Sequence, residues 1–235
     1  MGEVSTRHLS FLETGRAHPS REMVLHLAEQ LEVPLRDRNT LLTAAGFAPV
    51  YREPPLADPG MRPALRAIEA IMQGHMPYPA LTVDRHWILV AANEAVPRLL
   101  TGVDAALMEP PVNVLRLALH PAGLAPRTIN YAEWRTHLLD RLRRQAEASA
   151  DPVLLELLTE LRFYPAPRGG RPVQATPDYG GMVVPFELAT EAGPIAFLST
   201  TTVFGTPVDI TLSELALEYF YPANEVTAEI LRRPQ

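Results

Sequence analysis

Apolar residues recur at helical spacing through the first forty-six positions of this 235-residue chain. Val4, Leu9 and Leu12 share one side of a short stretch, while Thr6, Arg7, Ser10 and Phe11 face elsewhere. Ser5 is placed to cap it, because a serine hydroxyl accepts from a first-turn N–H that lacks a helical partner. Gly15 supplies the positive φ that stops it. A second helix, from about Arg21 to Leu31, carries Met23, Val24, Leu27, Ala28 and Leu31 on its apolar stripe. A third runs from about Leu35 to Ala45 and ends at Gly46. Pro49, Pro54, Pro55 and Pro59 then mark a stiff, extended linker. Arg62 to Gly74 predicts an amphipathic connector helix with Leu65, Ala67, Ile68 and Ile71 clustered.

Beyond residue 80 the period shortens. Ala80–Asp84 and His86–Ala92, rich in Val, Ile and Leu around a polar turn, predict a β-hairpin. Asn93 is expected to cap a short helix from Glu94 to Leu100, and Asn113 another through Leu119. Asn130 and Glu133 have capping-box spacing and open a long helix to about Ala148, with Trp134, Leu138, Leu139 and Leu142 inward. Asp151-Pro152 is a cap followed by a first-turn proline, and the helix it starts is apolar on more than one side through Leu161. Pro165 to Gly181 reads as a loop. Met182–Leu188 and Pro194–Phe204 read as strands joined at Ala192-Gly193. Thr211 with Glu214 predicts a last helix, reaching about Tyr219.

Composition narrows the chemistry. The net charge is −6. Residues 1–60 hold six Arg (7, 16, 21, 36, 38, 52) against eight acids (3, 13, 22, 29, 32, 37, 53, 58), a balance of −2. Neither gives a general attraction to nucleic acid. Cysteine is absent, which excludes disulfides and thiolate chemistry. There is no long apolar run and no signal-peptide pattern, so a cytoplasmic protein with no membrane partner is expected. The seven His show no metal-ligand spacing. Asp104, Glu109, Asp140 and Glu156 are scattered, and neither a nucleophile elbow nor a phosphate loop is visible. The expectation is a non-enzyme with no metal and no cofactor. Arg135, Arg141, Arg143 and Arg144 read as a solvated helix face whose stems lie over apolar neighbours.

A small sheet under Leu-rich helices suits an apolar cavity. Trp87, Trp134, Phe186, Phe197 and Phe204 are candidate walls, and Arg116, His120 and His137 are candidate partners for a polar head group.

The segment VSTRHLSFLETGRAHPSREMVLHLAEQLEVPLRDRNTLLTAAGFAP resembles the latter half of an Xre/Cro-repressor-like DNA-binding domain, in the version found in MmyB-like transcription regulators. VDRHWILVAANEA (83–95), NVLRLALHPAGL (113–124) and FLSTTTVFGTPVDITLSELALEYFYPANE (197–225) resemble that family's ligand-binding domain, in the same order. The resemblance implies an α+β protein. Its all-α helix-turn-helix remnant would occupy residues 1–50 and a linker with connector helix 51–75. A PAS-like antiparallel sheet covered by helices would follow over 76–235.

In that family the recognition helix is the third of a five-helix bundle. Here it begins at Ser5, so the chain is expected to be shortened at its N-terminus, without the helix pair that would bury Leu9, Leu12, Leu27 and Leu31. By resemblance Thr6, Arg7 and Phe11 face the major groove. Arg7 would pair with a guanine and Phe11 would touch a thymine methyl. Ser5, Arg16 and Arg21 would lie near phosphates. The resemblance further implies double-stranded DNA as partner, a homodimer, and a small apolar effector such as a fatty acid. The alternative is a ligand-binding or interaction protein that has lost DNA binding through N-terminal truncation.

Overall fold

The computed structural model describes residues 6–167 and 183–233. Ser5, most of the expected loop from Pro165 to Gly181, and Met182 lie outside the described residues, as do the side chains of Arg7, His8 and Leu9. By contact density the chain divides into two compact units. One is formed by residues 1–61 with 204–214, the other by residues 62–203 with 215–235.

The N-terminal unit opens with helices α1 (Thr6–Glu13), α2 (Arg21–Gln30) and α3 (Leu35–Ala44). After α1, Gly15 takes φ 68°, a left-handed value that glycine adopts freely. Ser20 caps α2 by accepting from the Met23 N–H at 3.3 Å. Among the described residues, Val24 and Ala28 of α2 and Leu42 of α3 are buried. Leu12 and Leu27 are half-buried, and Leu31 is 75% exposed.

The C-terminal unit starts with α4 (Arg62–Gln73), the hairpin β1 (Ala80–Val83) and β2 (Leu89–Ala92), then α5 (Ala95–Leu99) and α6 (Val114–Leu119). Helices α7 (Tyr131–Ser149) and α8 (Pro152–Arg162) follow, then β3 (Phe186–Thr190) and β4 (Gly193–Val203). Strand β4 leads into the short helix α9 (Ile210–Ser213), which belongs to the other unit. The chain returns as β5 (Ala216–Pro222) and closes with α10 (Glu225–Arg232). The strands form one antiparallel sheet in the order β2-β1-β5-β4-β3. The molecule is therefore α+β, with a PAS-like sheet under helices. No helix among the described residues is long and apolar enough to cross a membrane.

The main differences from the sequence reading are at polar residues and at β5. The helix expected from Thr211 to Tyr219 is confined to α9, and Asp209 rather than Thr211 caps it, accepting from the Leu212 N–H at 2.9 Å. Residues 216–222 are instead a central strand. The run Tyr219-Phe220-Tyr221 favours strand, and the segment pairs with β1 on one side and β4 on the other, so the helix begun at Ile210 does not continue into it. Asn130 stands at the N-cap of α7 and donates to Glu133 Oε2 at 3.3 Å, but its side-chain oxygen accepts no first-turn N–H. The side chain also donates to the Pro185 carbonyl at 2.8 Å and accepts from the Glu187 N–H at 3.3 Å, tying the helix to β3.

Asn93, 1% exposed, likewise does more than start a helix. It donates to the carbonyls of Met72 and Tyr78 and accepts from the N–H groups of Ala80 and Ala95. Strand β2 begins at Leu89 rather than His86 because Asp84 organises the turn, accepting from the N–H groups of His86 and Ile88. Strand β3 begins at Phe186. Asp151 and Asn113 cap α8 and α6 as their spacing predicts.

The β4–β5 connection folds with the N-terminal unit. The Ile210 N–H donates to the Arg52 carbonyl at 2.9 Å, and the Thr211 hydroxyl donates to the Pro54 carbonyl at 2.6 Å. Arg36 on α3 donates through Nε to Glu214 Oε1 at 2.6 Å and also pairs with Glu53. The two carboxylates hold the Arg36 guanidinium far more firmly protonated than usual.

Candidate ligand cavity

Helix α7 carries one face that is apolar at its start and polar at its end. Trp134, Leu138, Arg141 and Gln145 follow at spacings of four, three and four, which keeps them in one row. Trp134 and Leu138 are buried. Across from this row stands one face of the sheet. Register places Leu81 of β1 opposite Glu218 of β5, and Glu218 opposite Thr201 of β4. Ser199 and Phe220 form the next cross-strand pair.

Trp134, Leu138 and Arg141, with Leu81, Glu218, Ser199 and Phe220 of the sheet and apolar side chains from α5 and α6, line a cavity of about 100 Å³. Its wall is almost wholly apolar. Leu81, Leu89, Val96, Leu99, Leu115 and Phe220 contribute to it, and Arg141, Glu218 and Ser199 bring charged or hydroxyl side chains. An aromatic group lies at one side. Trp134 stacks on Phe186 with centroids 5.1 Å apart, and Phe186 meets Phe197 and Phe220 at 6.3 Å each. The Trp134 indole N–H is buried and has no acceptor among the described residues, an arrangement that costs roughly 1–3 kcal/mol.

The polar wall is built around Arg141. Its Nη2 donates to Glu218 Oε1 at 2.6 Å and to Thr201 Oγ1 at 2.8 Å, and its Nη1 donates to Glu218 Oε2 at 3.2 Å. The Thr201 hydroxyl in turn donates to Glu218 Oε1 at 3.0 Å. Glu218 is 5% exposed, so its charge needs this pairing. The Arg141 guanidinium also lies 4.5 Å from the centroid of the Trp87 ring, a cation–π contact.

Trp87 has φ 65°, where a side chain normally costs about 1–2 kcal/mol. A hydrogen bond from its indole N–H to Gln145 Oε1 at 2.8 Å holds it there. Gln145 also donates to the Arg85 carbonyl at 2.8 Å. Thus α7 locks the hairpin turn and the cavity wall together.

Of the eight ligand-site residues expected from the sequence, Trp87, Trp134 and Phe186 line this cavity. The other five do not. Arg116 forms a bidentate pair with Glu160, whose carboxyl Arg116 holds below the usual range. Tyr164 donates to the same Glu160, and burial followed by that carboxylate pushes its phenol up to about 12. His120 meets Tyr164 edge-on and accepts from the Ala122 N–H through Nδ1. These four are satisfied by one another. His137 stacks on Trp134 at 5.3 Å. Burial, then Arg141 and Arg144, lowers its pKa. Phe197 is fully buried core, and Phe204 belongs with the β4–β5 connection in the N-terminal unit.

Arg141, expected on a solvated helix face, instead turns to buried Glu218 and the Trp87 ring, and neither Glu218 nor Ser199 was expected at the site. The signal for Arg141 was its place in the row with Trp134 and Leu138. Nothing local marked Glu218, because it faces the cavity only once β5 is a strand.

Of the DNA-contact candidates, Thr6, Arg16 and Arg21 are exposed and Phe11 is half-buried. Among the described residues no group of His, Cys, Asp and Glu is arranged to hold a metal ion.

A comparison with curated protein sequences finds no match. Among solved structures, the chain resembles "Structure of an RNA-binding Light-Oxygen-Voltage Receptor" at 18% identity and a TM-score of 0.30, covering 84% of this chain and 46% of that one. At that score the likeness carries no argument. Residues 62–233 match the family described as the MmyB-like transcription regulator ligand binding domain. That match spans the sheet, its covering helices and the cavity, and takes in well over half of the sequence: the chain belongs to the MmyB-like transcription regulator ligand-binding-domain family.

Proposed function

We propose that this protein is a one-component transcription regulator. The C-terminal unit would hold a small apolar ligand, with a short acyl chain as the model occupant. The N-terminal helices would contact double-stranded DNA. The observation that carries the reading is the apolar cavity with its few convergent polar groups, inside a domain of a ligand-sensing regulator family. Thr6, Arg7 and Phe11 on α1 would read base edges, and Ser5, Arg16 and Arg21 would lie against phosphates. A homodimer would bring two such helices to successive major-groove turns.

Connectivity supports regulation. Ser199 on β4 and Glu218 on β5 line the cavity, and the segment joining these strands folds with the N-terminal unit. A ligand that shifts either strand therefore strains a segment of the other unit through the covalent chain. It would act allosterically to the extent that it binds the DNA-competent and incompetent arrangements unequally.

The test has two arms. Mass spectrometry of an organic extract of purified protein is expected to reveal an acyl-bearing molecule; clean extracts from several preparations would remove the acyl occupant. Selection from a random duplex library is expected to yield a site bound in a salt-sensitive manner, with Arg7→Ala costing about 1–3 kcal/mol of discrimination. The net charge of −2 over residues 1–60 favours a second reading, a ligand-binding protein without DNA contact; failure to enrich any duplex would support it.

A further inference from the structure

The cavity wall holds more donors than acceptors, and its charge is already balanced. Arg141 gives three of its five N–H groups to Glu218 and Thr201. Its Nε–H and second Nη1–H have no hydrogen-bond partner among the described residues. The Trp134 indole N–H has no acceptor either. On the acceptor side, both Glu218 oxygens are engaged by Arg141, and Oε1 also by Thr201. Ser199 is the remaining polar side chain of the lining.

We infer that the ligand is an uncharged, compact amphiphile bearing a hydrogen-bond acceptor, such as an amide, ester, lactone or ketone, rather than a free carboxylate or an amine. This deepens the ligand-sensing reading above and rests on it. A carbonyl oxygen takes up a spare donor while leaving the Arg141–Glu218 pair intact. A ligand carboxylate would meet the Glu218 carboxylate, which is buried and already held by Arg141 and Thr201. An ammonium group would meet the same obstacle from Arg141. Burying either ion here adds an unpaired charge to a neutral pair in an apolar wall, which is the costlier outcome. Size points the same way. About 100 Å³ lies below the roughly 300–1,000 Å³ of pockets that enclose drug-sized ligands and nearer the engineered cavity of about 150 Å³ that takes benzene.

Calorimetric titration of the full chain at pH 8 with hexanamide, hexanoate, hexylammonium and benzene tests this. Hexanamide is expected to bind at least tenfold tighter than either ion, and tighter than benzene. Glu218→Gln keeps an acceptor for Arg141 and removes the competing charge, so hexanoate should gain at least tenfold and overtake hexanamide. A wild-type preference for hexanoate or hexylammonium, or equal affinities for all four probes, overturns the inference while leaving the apolar cavity as a binding site. If no probe binds, the inference falls, while the ligand-sensing reading still stands or falls on the organic extract. The wild-type ranking decides the matter even if the variant does not fold.

Discussion

The C-terminal unit gathers Trp87, Leu119, Leu142, Leu161, Leu188 and Phe197, drawn from both helices and strands, into one continuous core. In the N-terminal unit the buried apolar residues among those described are Val24, Ala28, Leu42, Met61 and Ile210, while Leu31, Leu41, Val50 and Val208 are exposed. One unit rests on packing between distant segments. The other has little such packing and relies more on caps, on the Arg36 ion pairs, and on hydrogen bonds to the segment 204–214. A dense core keeps a cavity in shape. The polar ties of the N-terminal unit run to the segment between β4 and β5.

The sharpest way to break this comparison is truncation of the core. Leu142 is fully buried, and Leu142→Ala should cost about 3–4 kcal/mol by loss of transfer energy and the hole it leaves. Leu31→Ala, at an exposed site, should change stability by less than about 0.5 kcal/mol. Urea unfolding is convenient here. Both tryptophans, Trp87 and Trp134, lie in the C-terminal unit, so their fluorescence reports it while circular dichroism reports both units. Equal losses for the two variants would abolish the contrast.

Next in size is Asn93→Ala, expected to cost about 2–3 kcal/mol because it leaves buried backbone groups around β1 without partners. A nearly silent variant would show that local caps, rather than this tie, hold the sheet to α4. A smaller effect should follow Arg36→Ala. Its pairs with Glu53 and Glu214 are partly exposed, so screening limits the loss to about 1 kcal/mol. That loss should appear in the dichroism and leave the tryptophan transition in place. A shift of both transitions would show that the units unfold together.

The smallest expected effect is a pH dependence at His137. Burial, then Arg141 and Arg144, lowers its pKa in the folded state from 6.5. Below that unfolded value the unfolded chain binds the proton more readily, so stability falls as pH drops. The loss levels off once pH has passed through the lowered folded value. His137→Gln should flatten this limb; an unchanged limb would assign it to another group.

The helices were legible wherever an apolar period met a capping residue that had no other work. Asp151 and Asn113 cap as their spacing predicts. Asn93 and Asn130 have the same local signature, but their side chains serve strands far away in sequence. The candidate site was half legible for a related reason. Aromatic residues announce a core, and Trp87, Trp134 and Phe186 line the cavity. Arg116 and His120 looked equally suited to a head group, yet Glu160 and Tyr164 claim them.

Periodicity along the chain thus determined the helices and the first hairpin, because a helix or a turn is specified by residues only a few positions apart. Tertiary structure alone decided that 216–222 lies between β1 and β4 and that Glu218 meets Arg141, seventy-seven positions away. Sheet pairing turns alternate residues toward one face. Burial then obliges each polar group to find whatever partner the register brings within reach, which no local pattern encodes.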